Sequence, residues 1–373
     1  MNKDDSQKKF PQASQTTDAL PDFQLELVPC PLCGGSKWLQ HRQLTDLLYK
    51  RPGQFRVVRC CTCGHLFVNP RPTPQTILDF YPPDYSPHQA EATPPGSLTA
   101  AKAEQTSSPP QASAHMKSSS PPSLLTRLLK AVPGAKQLFY WLLKNSDGVI
   151  IPPVSTNHAV PQALELGCGA GAFSAKLMEL GWQVYAVEPV AQAAAKARAK
   201  GIHVFESELQ EGLFSPKTFD AVFAWMVVEH LPDPVRVLKI VRGLLKTDGW
   251  LLFSVPNVAC WEPYVFGRYW YSWQVPTHLH HFTPQTVRFL LKQSGFTCER
   301  IVFHANVLNW TGSLGLWLRE KLPRSSLGPA FLAYNAHPRL SVQLATAPVA
   351  KFLAVVGQTG RMTVVARPQN SIL

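Results

Sequence analysis

The chain has 373 residues, 45% of them hydrophobic, which is enough for a sizeable core in two domains or one large domain with appendages. Lys and Arg outnumber Asp and Glu by 36 to 24, and the formal net charge of +12 points to anionic partners such as nucleotides, nucleic acid or a membrane surface. No long Lys/Arg run occurs, which counts against nucleic acid, and no stretch reaches ~18 uninterrupted apolar residues, which excludes a transmembrane helix.

Residues 1–22 are polar, lack the apolar centre of a signal peptide and are expected to be disordered. Cys30 and Cys33 then form a first CxxC pair, with Gly34 and Gly35 allowing a tight turn. Residues 37–59 alternate as two short strands, and a second pair follows around Cys60, Cys61 and Cys63, closed by Gly64. Two such knuckles supply four thiolates for one tetrahedral zinc, and so small a module needs the metal to hold together. Cys30, Cys33, Cys60 and Cys63 are the expected ligands, with Cys61 competing for the place of Cys60. Four thiolates leave no open coordination position, so the ion would be structural. Cys168, Cys260 and Cys298 lie scattered in apolar surroundings, as in a reduced cytoplasmic protein.

A rigid Pro70–Pro74 connector follows, and Thr73 or Thr76 can start a short helix ending near Tyr81. Residues 86–122 are rich in Ser, Pro and Ala and read as a flexible linker. Residues 123–146 show apolar residues at helical spacing, split by Pro133 and Gly134, with basic residues on the polar side. They open a segment of amphipathic helices assigned to 123–160. Its apolar face would cover the following domain, and membrane-surface contact stays open.

From Pro161 the pattern alternates: strand 163–166, helix 172–180, strand 183–187, helix 190–200, strand 202–205, strand 219–225, helix 234–246 and strand 250–255. Such βα alternation implies an α/β fold with a doubly wound parallel sheet. An aromatic and histidine-rich segment (257–284) interrupts it. A helix from Pro284 to Gly295, a strand from Thr297 to Phe303, an apolar helical insertion over 305–357 and a strand from Met362 to Arg367 close the domain, 161–373. The insertion is expected to add packing on the sheet; a lid, a dimer face or a membrane-surface patch are its other uses.

The turn ELGCGAG (residues 165–171) lies between the first strand and helix, and Glu188 ends the next strand. It can be forced onto a dinucleotide fingerprint using Gly167, Gly169 and Ala172, with Glu188 on the ribose. With Glu165 included, the pattern E/D-x-G-x-G-x-G resembles motif I of the class I S-adenosylmethionine-dependent methyltransferases. The likeness continues through GIHVFESELQE, through FDAVFAWMVVEHLPDP with its Glu229–His230 pair, and through LLKTDGWLLFSVPN. The stretches GRYWYSWQVPTHLHHFTP, NPRP and CxxCG…CxxCG resemble a branch with an N-terminal four-cysteine zinc ribbon, which includes sugar C-methyltransferases. Together these stretches cover residues 28–85 and 161–303, and MTVVAR agrees with the closing antiparallel strand of that fold.

The resemblance implies a doubly wound seven-stranded Rossmann-like methyltransferase sheet behind a small zinc ribbon, with S-adenosyl-L-methionine as cofactor. Glu165, Gly167, Gly169 and Gly171 would hold its methionine end, Glu188 the ribose and Glu208 the adenine. His230, with Glu229, is the candidate base for transfer to oxygen or carbon of a small hydroxylated metabolite or a sugar or glycan precursor. A role in bracing the turn is the competing reading of His230. His278, His280 and His281 are further candidates, with orientation or structure the first reading for His278 and His281. Trp225, Tyr264, Tyr269, Trp270 and Trp273 are candidate pocket walls. An RNA methyltransferase using the ribbon, a non-catalytic ribbon-bearing scaffold and a nicotinamide-dependent oxidoreductase are the rivals. Against RNA, the basic residues do not cluster with the ribbon's aromatics and no N/D-P-P-[YF] tetrapeptide follows the fourth strand.

Overall fold

A computed structural model describes residues 24–81, 147–153 and 160–369, with positions 137 and 141 between them. The expected tail (1–22), the linker (86–122) and nearly all of the 123–146 helices lie outside the described residues; Gln137 and Trp141 are helical. Residues 147–153, which sequence placed in the amphipathic helices, carry no helix. Val149, Ile150 and Ile151 pack on the core of the main sheet, and the Trp250 Nε1 donates to the Pro153 carbonyl at 3.2 Å.

The N-terminal part is a small β module. Strands β1 (Leu25–Glu26), β2 (Trp38–Leu44), β3 (Phe55–Cys60), β4 (Leu66–Val68) and β5 (Arg71–Pro72) precede a 3₁₀ turn, Ile77–Phe80, and Tyr81. β2, β3 and β4 form an antiparallel meander, and β1 pairs with β5.

The main sheet begins with β6 (Gln162–Leu166), α1 (Ala172–Glu179), β7 (Gln183–Val187), α2 (Ala191–Arg198) and β8 (His203–Phe205). Then come β9 (Phe219–Trp225), a 3₁₀ turn (Val228–His230), α3 (Pro234–Leu244) and β10 (Leu245–Pro256). The aromatic and histidine-rich segment carries α4 (Glu262–Phe266) and the two-residue strand β11 (His280–His281). It leads into α5 (Pro284–Gln293) and β12 (Phe296–Phe303). Helices α6 (Leu308–Lys321), α7 (Leu327–Ala336) and α8 (Leu340–Val355) precede the last strand, β13 (Arg361–Pro368).

Seven strands make one sheet in the order β12-β13-β10-β9-β6-β7-β8. Its strands are parallel except β13, which runs antiparallel to both neighbours. Nearly continuous apolar strands buried on both faces explain the parallel pairing: Ala221 to Ala224 and Leu251 to Phe253 are all fully buried. The chain leaves β6 towards β7 and β8, then returns to start β9 on the other side of β6. That reversal is the topological switch point, and it opens the crevice where α/β sheets take ligands.

The expected insertion is three helices. α6 packs on α7, on α4 and on the 3₁₀ turn Gly267–Tyr269, while α8 touches β12. α8 therefore adds packing on the sheet. α6 braces the aromatic and histidine-rich segment, because the buried Glu262 carboxylate accepts from Trp270 Nε1 and from Trp310 Nε1, each at 2.8 Å.

The unexpected feature is β11. It belongs to the methyltransferase-like part in sequence, yet it pairs with β4 of the N-terminal module, His280 opposite Phe67 and His281 opposite Leu66. Phe67, Val58, Cys60 and Leu32 join the same buried cluster as Phe282, Val228 and Leu164 of the main sheet. The module and the main sheet thus share one core.

The turn after β6 depends on backbone that only glycine adopts without strain. Gly171 sits at φ +77°, and an added Cβ there would stand 2.4 Å from Ile202 Cδ1 and 2.9 Å from Ala197 Cβ. Both strain and overlap oppose a side chain, so Gly171→Ala is expected to lower unfolding free energy by roughly 2 kcal/mol or more. Thermal unfolding checks it; an unchanged midpoint would contradict this account of the turn.

Candidate active site

Two strand ends flank the switch point. At the end of β6 the chain turns through Gly167, Gly169 and Gly171, all with positive φ. The Gly167 amide donates to the Val187 carbonyl at 2.9 Å. Glu188, immediately after β7, accepts from the Gly169 amide at 2.9 Å and from the Val190 amide at 3.0 Å. It therefore ties the glycine turn to the end of β7. Glu165 is buried within β6, and Ser174 Oγ of α1 donates to it. Burial pushes the Glu165 carboxyl up to about 8, against the lowering pull of that hydrogen bond. Glu208 lies exposed in the loop after β8.

At the end of β9 the chain turns sharply through Met226 at φ +56°, its amide held by the Ser254 carbonyl and hydroxyl, each at 3.1 Å. The 3₁₀ turn that follows presents Glu229 and His230. The His230 Nδ1 stands 2.9 Å from the Thr277 carbonyl and 2.8 Å from the Tyr81 hydroxyl. A carbonyl only accepts, so Thr277 selects the Nδ1–H tautomer and leaves the lone pair on Nε2. Burial lowers the His230 pKa to about 4, so its resting form is neutral. His278 is held the same way, Nδ1 donating to the Ser272 carbonyl at 2.9 Å, and burial takes its pKa well below the ordinary histidine value.

Glu229 is fully buried, and neither carboxylate oxygen has a hydrogen-bond partner among the described residues. Burial pushes its carboxyl up to about 8, with the Arg361 charge pulling the other way. One potential ligand atom each from Glu229, His230 and His278 lies within 4.8 Å of the others. The expected Glu229–His230 pair and His278 are therefore together.

Tyr81 is the site residue that sequence reasoning passed over. It comes from the far end of the N-terminal module, 149 residues from its histidine partner. Burial and then the nearby Glu229 charge push its hydroxyl above the usual tyrosine range, so it stays neutral. Its only signal in the sequence is a tyrosine just beyond the Pro-rich connector.

The other histidines are braces. His280 Nε2 donates to the Leu231 carbonyl at 2.8 Å, which leaves Nδ1 to accept from His65 Nε2 at 3.0 Å. This relay joins the N-terminal module to the residue after His230. His281 is fully buried beside Trp273, with both ring nitrogens unpartnered among the described residues. Most of the expected pocket walls are corrected as well. Trp270 and Trp273 lie in a core with Phe55, Val57 and Val68 of the module, their indole nitrogens bonded to Glu262 and to the Gly267 carbonyl. Tyr264 is 76% exposed, and Tyr269 donates to Glu320 on the surface. Trp225 does sit at the end of β9, edge-on to Phe173, with its buried Nε1 unpartnered among the described residues.

The four expected metal ligands also converge. Cys30, Cys33, Cys60 and Cys63 offer sulfurs within 4.8 Å of one another, with Cys30–Cys63 and Cys33–Cys60 each at 3.5 Å. Thiolates around a tetrahedral zinc at ~2.3 Å stand roughly 3.8 Å apart, so the donor set fits that ion. Cys61 is exposed and outside the cluster, which decides between it and Cys60.

Residues 134–301 match the family model described as a methyltransferase domain. The seven-stranded sheet with its antiparallel β13 is a Rossmann-like methyltransferase fold. Over 143 residues it is 32% identical to a ubiquinone biosynthesis O-methyltransferase from Xanthomonas campestris pv. campestris, covering 35% of this chain and 59% of that one. A protein of the same name from Histophilus somni is 26% identical over 43% of this chain and 73% of its own length. The chain thus spans about three fifths of the first of these relatives. Among solved structures, an S-adenosylmethionine-dependent methyltransferase from Mesorhizobium loti aligns with a TM-score of 0.39 and 18% identity, over 64% of this chain and 99% of that one.

The burial of His281 has a measurable consequence. Its folded pKa is about 3, whereas an unfolded histidine titrates near 6.5. A depressed folded value means that stability is fully present above about 6.5 and is lost as pH falls toward 3. His281→Phe removes that loss. It should gain about 2 kcal/mol on wild type between roughly pH 8 and pH 5, read by urea unfolding at both pH values. Equal pH dependence in the two proteins would contradict a neutral, structural His281.

Proposed function

We propose that the chain is an S-adenosylmethionine-dependent methyltransferase acting on an oxygen of a small hydroxylated metabolite, with His230 taking the acceptor's proton. The observation that carries this reading is the paired arrangement at the switch point: a glycine turn tied to Glu188 on one side, and a neutral histidine with its Nε2 lone pair directed by Thr277 on the other. The relatives' names as O-methyltransferases favour oxygen over carbon.

The residues present fit the cofactor. Each Glu188 oxygen accepts one amide and keeps a lone pair, which suits the two hydroxyls of a ribose. Glu165 and the glycine turn would hold the methionine end, and Trp225 at the end of β9 offers a buried Nε1 donor that has no partner among the described residues. S-adenosylmethionine supplies a methyl already activated on a sulfonium, so the chain's share is alignment and proton removal. His230 accepts the acceptor's hydroxyl proton at Nε2 while Nδ1–H stays on the Thr277 carbonyl. The imidazolium forms close to the Glu229 carboxyl. Tyr81 meets the same ring nitrogen as Thr277 and helps to fix the ring. Zinc on the four thiolates would have a structural role, holding the module that delivers Tyr81.

Calorimetric titration with S-adenosylmethionine, its demethylated product and NAD tests the cofactor assignment. The first two should bind, and Glu188→Ala should weaken them at least ~tenfold, as both of its amide bonds and its ribose contacts are lost. Binding of NAD alone would overturn the reading. His230→Ala should cut turnover at least ~100-fold with cofactor affinity nearly unchanged. Because the resting pKa of His230 is about 4, kcat/KM should hold steady on acidification until pH approaches that value, instead of falling near 6.5.

A further inference from the structure

We propose that the outward face of the helical insertion docks on an anionic lipid bilayer. α8 is turned the wrong way round for a helix in water. Its small residues Ala347 and Ala350 face inward and are buried, whereas Val349, Phe352 and Val355 face outward at 54%, 66% and 86% exposure. Their spacing of three places them on one stripe. α7 adds Leu327, 51% exposed at its first turn. Scattered exposed apolar side chains are ordinary, but a continuous apolar stripe on a helix that buries only alanine marks an interaction surface.

Charge identifies the occupant. After Glu320 the chain contains no Asp or Glu, while Lys321, Arg324, Arg339 and Lys351 all fall in the insertion. A second copy of the chain docked face to face would bring two such sets of cations together, and the one carboxylate of each insertion, Glu320, is already bonded to Arg268 and Tyr269. An acidic lipid surface answers both parts, taking the apolar stripe at the level of the headgroups and the cations against its phosphates. Trp141 supports the same geometry: it is exposed, with the Lys351 ammonium 5.4 Å from its ring centre, as an aromatic residue at a lipid–water boundary would be. The net charge of +12 draws the whole chain toward such a surface.

The test is co-sedimentation of the full chain with vesicles of phosphatidylcholine alone and of phosphatidylcholine mixed with phosphatidylglycerol. The chain should pellet with the mixed vesicles at least ~tenfold more tightly than with the neutral ones, and added salt should weaken that binding. The exposed pair Phe352→Glu with Val355→Glu should reduce it a further ~tenfold, and Arg324→Gln with Arg339→Gln should reduce the preference for the acidic lipid. Unchanged far-UV circular dichroism and thermal midpoint would show that the variants fold. No binding to the mixed vesicles, equal binding to both kinds, or binding untouched by the Glu pair would each overturn the proposal. So would a dimer, seen by analytical ultracentrifugation without lipid, that Phe352→Glu dissolves.

Discussion

Two residues of backbone pairing hold this protein's parts in register. His280 and His281 lie across from Phe67 and Leu66, and the Val68 amide donates to the Leu279 carbonyl at 2.9 Å. Through that short ladder the cysteine module gains a fourth strand from the methyltransferase domain, and the segment preceding α5 gains a fixed position over the switch point. Two strands alone are marginal in water, and a meander that recruits a further strand and shares a core is not. The Thr277 carbonyl that selects the His230 tautomer lies three residues before this ladder, so the catalytic geometry inherits its placement.

The pairing also explains why so many histidines are buried and neutral. His65, His278, His280 and His281 fill the seam between module and domain, and burial lowers all of their pKa values. A neutral imidazole can donate on one nitrogen and accept on the other, so it can link two backbone segments through a dry interface. His280 does this, accepting from His65 at Nδ1 and donating from Nε2 to the Leu231 carbonyl next to the candidate base. His230 is anchored through Nδ1.

The strands, the glycine turn and the four-cysteine cluster were legible because each is a local signal. Apolar runs, left-handed turns and CxxC spacing depend on neighbours in the chain, and the observed elements begin and end within a few residues of expectation. The aromatic segment was not legible in that way. Trp270 and Trp273 look like pocket walls in a histidine-rich stretch, yet their partners are Phe55, Val57 and Val68, some two hundred residues earlier. Tyr81 meets His230 across a comparable gap, and a two-residue strand such as β11 has no periodicity to read. Likewise, helical spacing in 305–357 could announce helices but not that α8 would turn its alanines inward.

Amide hydrogen exchange with and without the metal tests the central claim most directly, that the cysteine module is part of the active site's frame. The account predicts that stripping zinc from the four thiolates exposes the Val68 amide and those of residues 278–282 to fast exchange, while β6 and β9 at the centre of the main sheet keep their protection. If zinc loss frees the module's amides but leaves residues 278–282 as protected as before, the module is an appendage and the account is wrong.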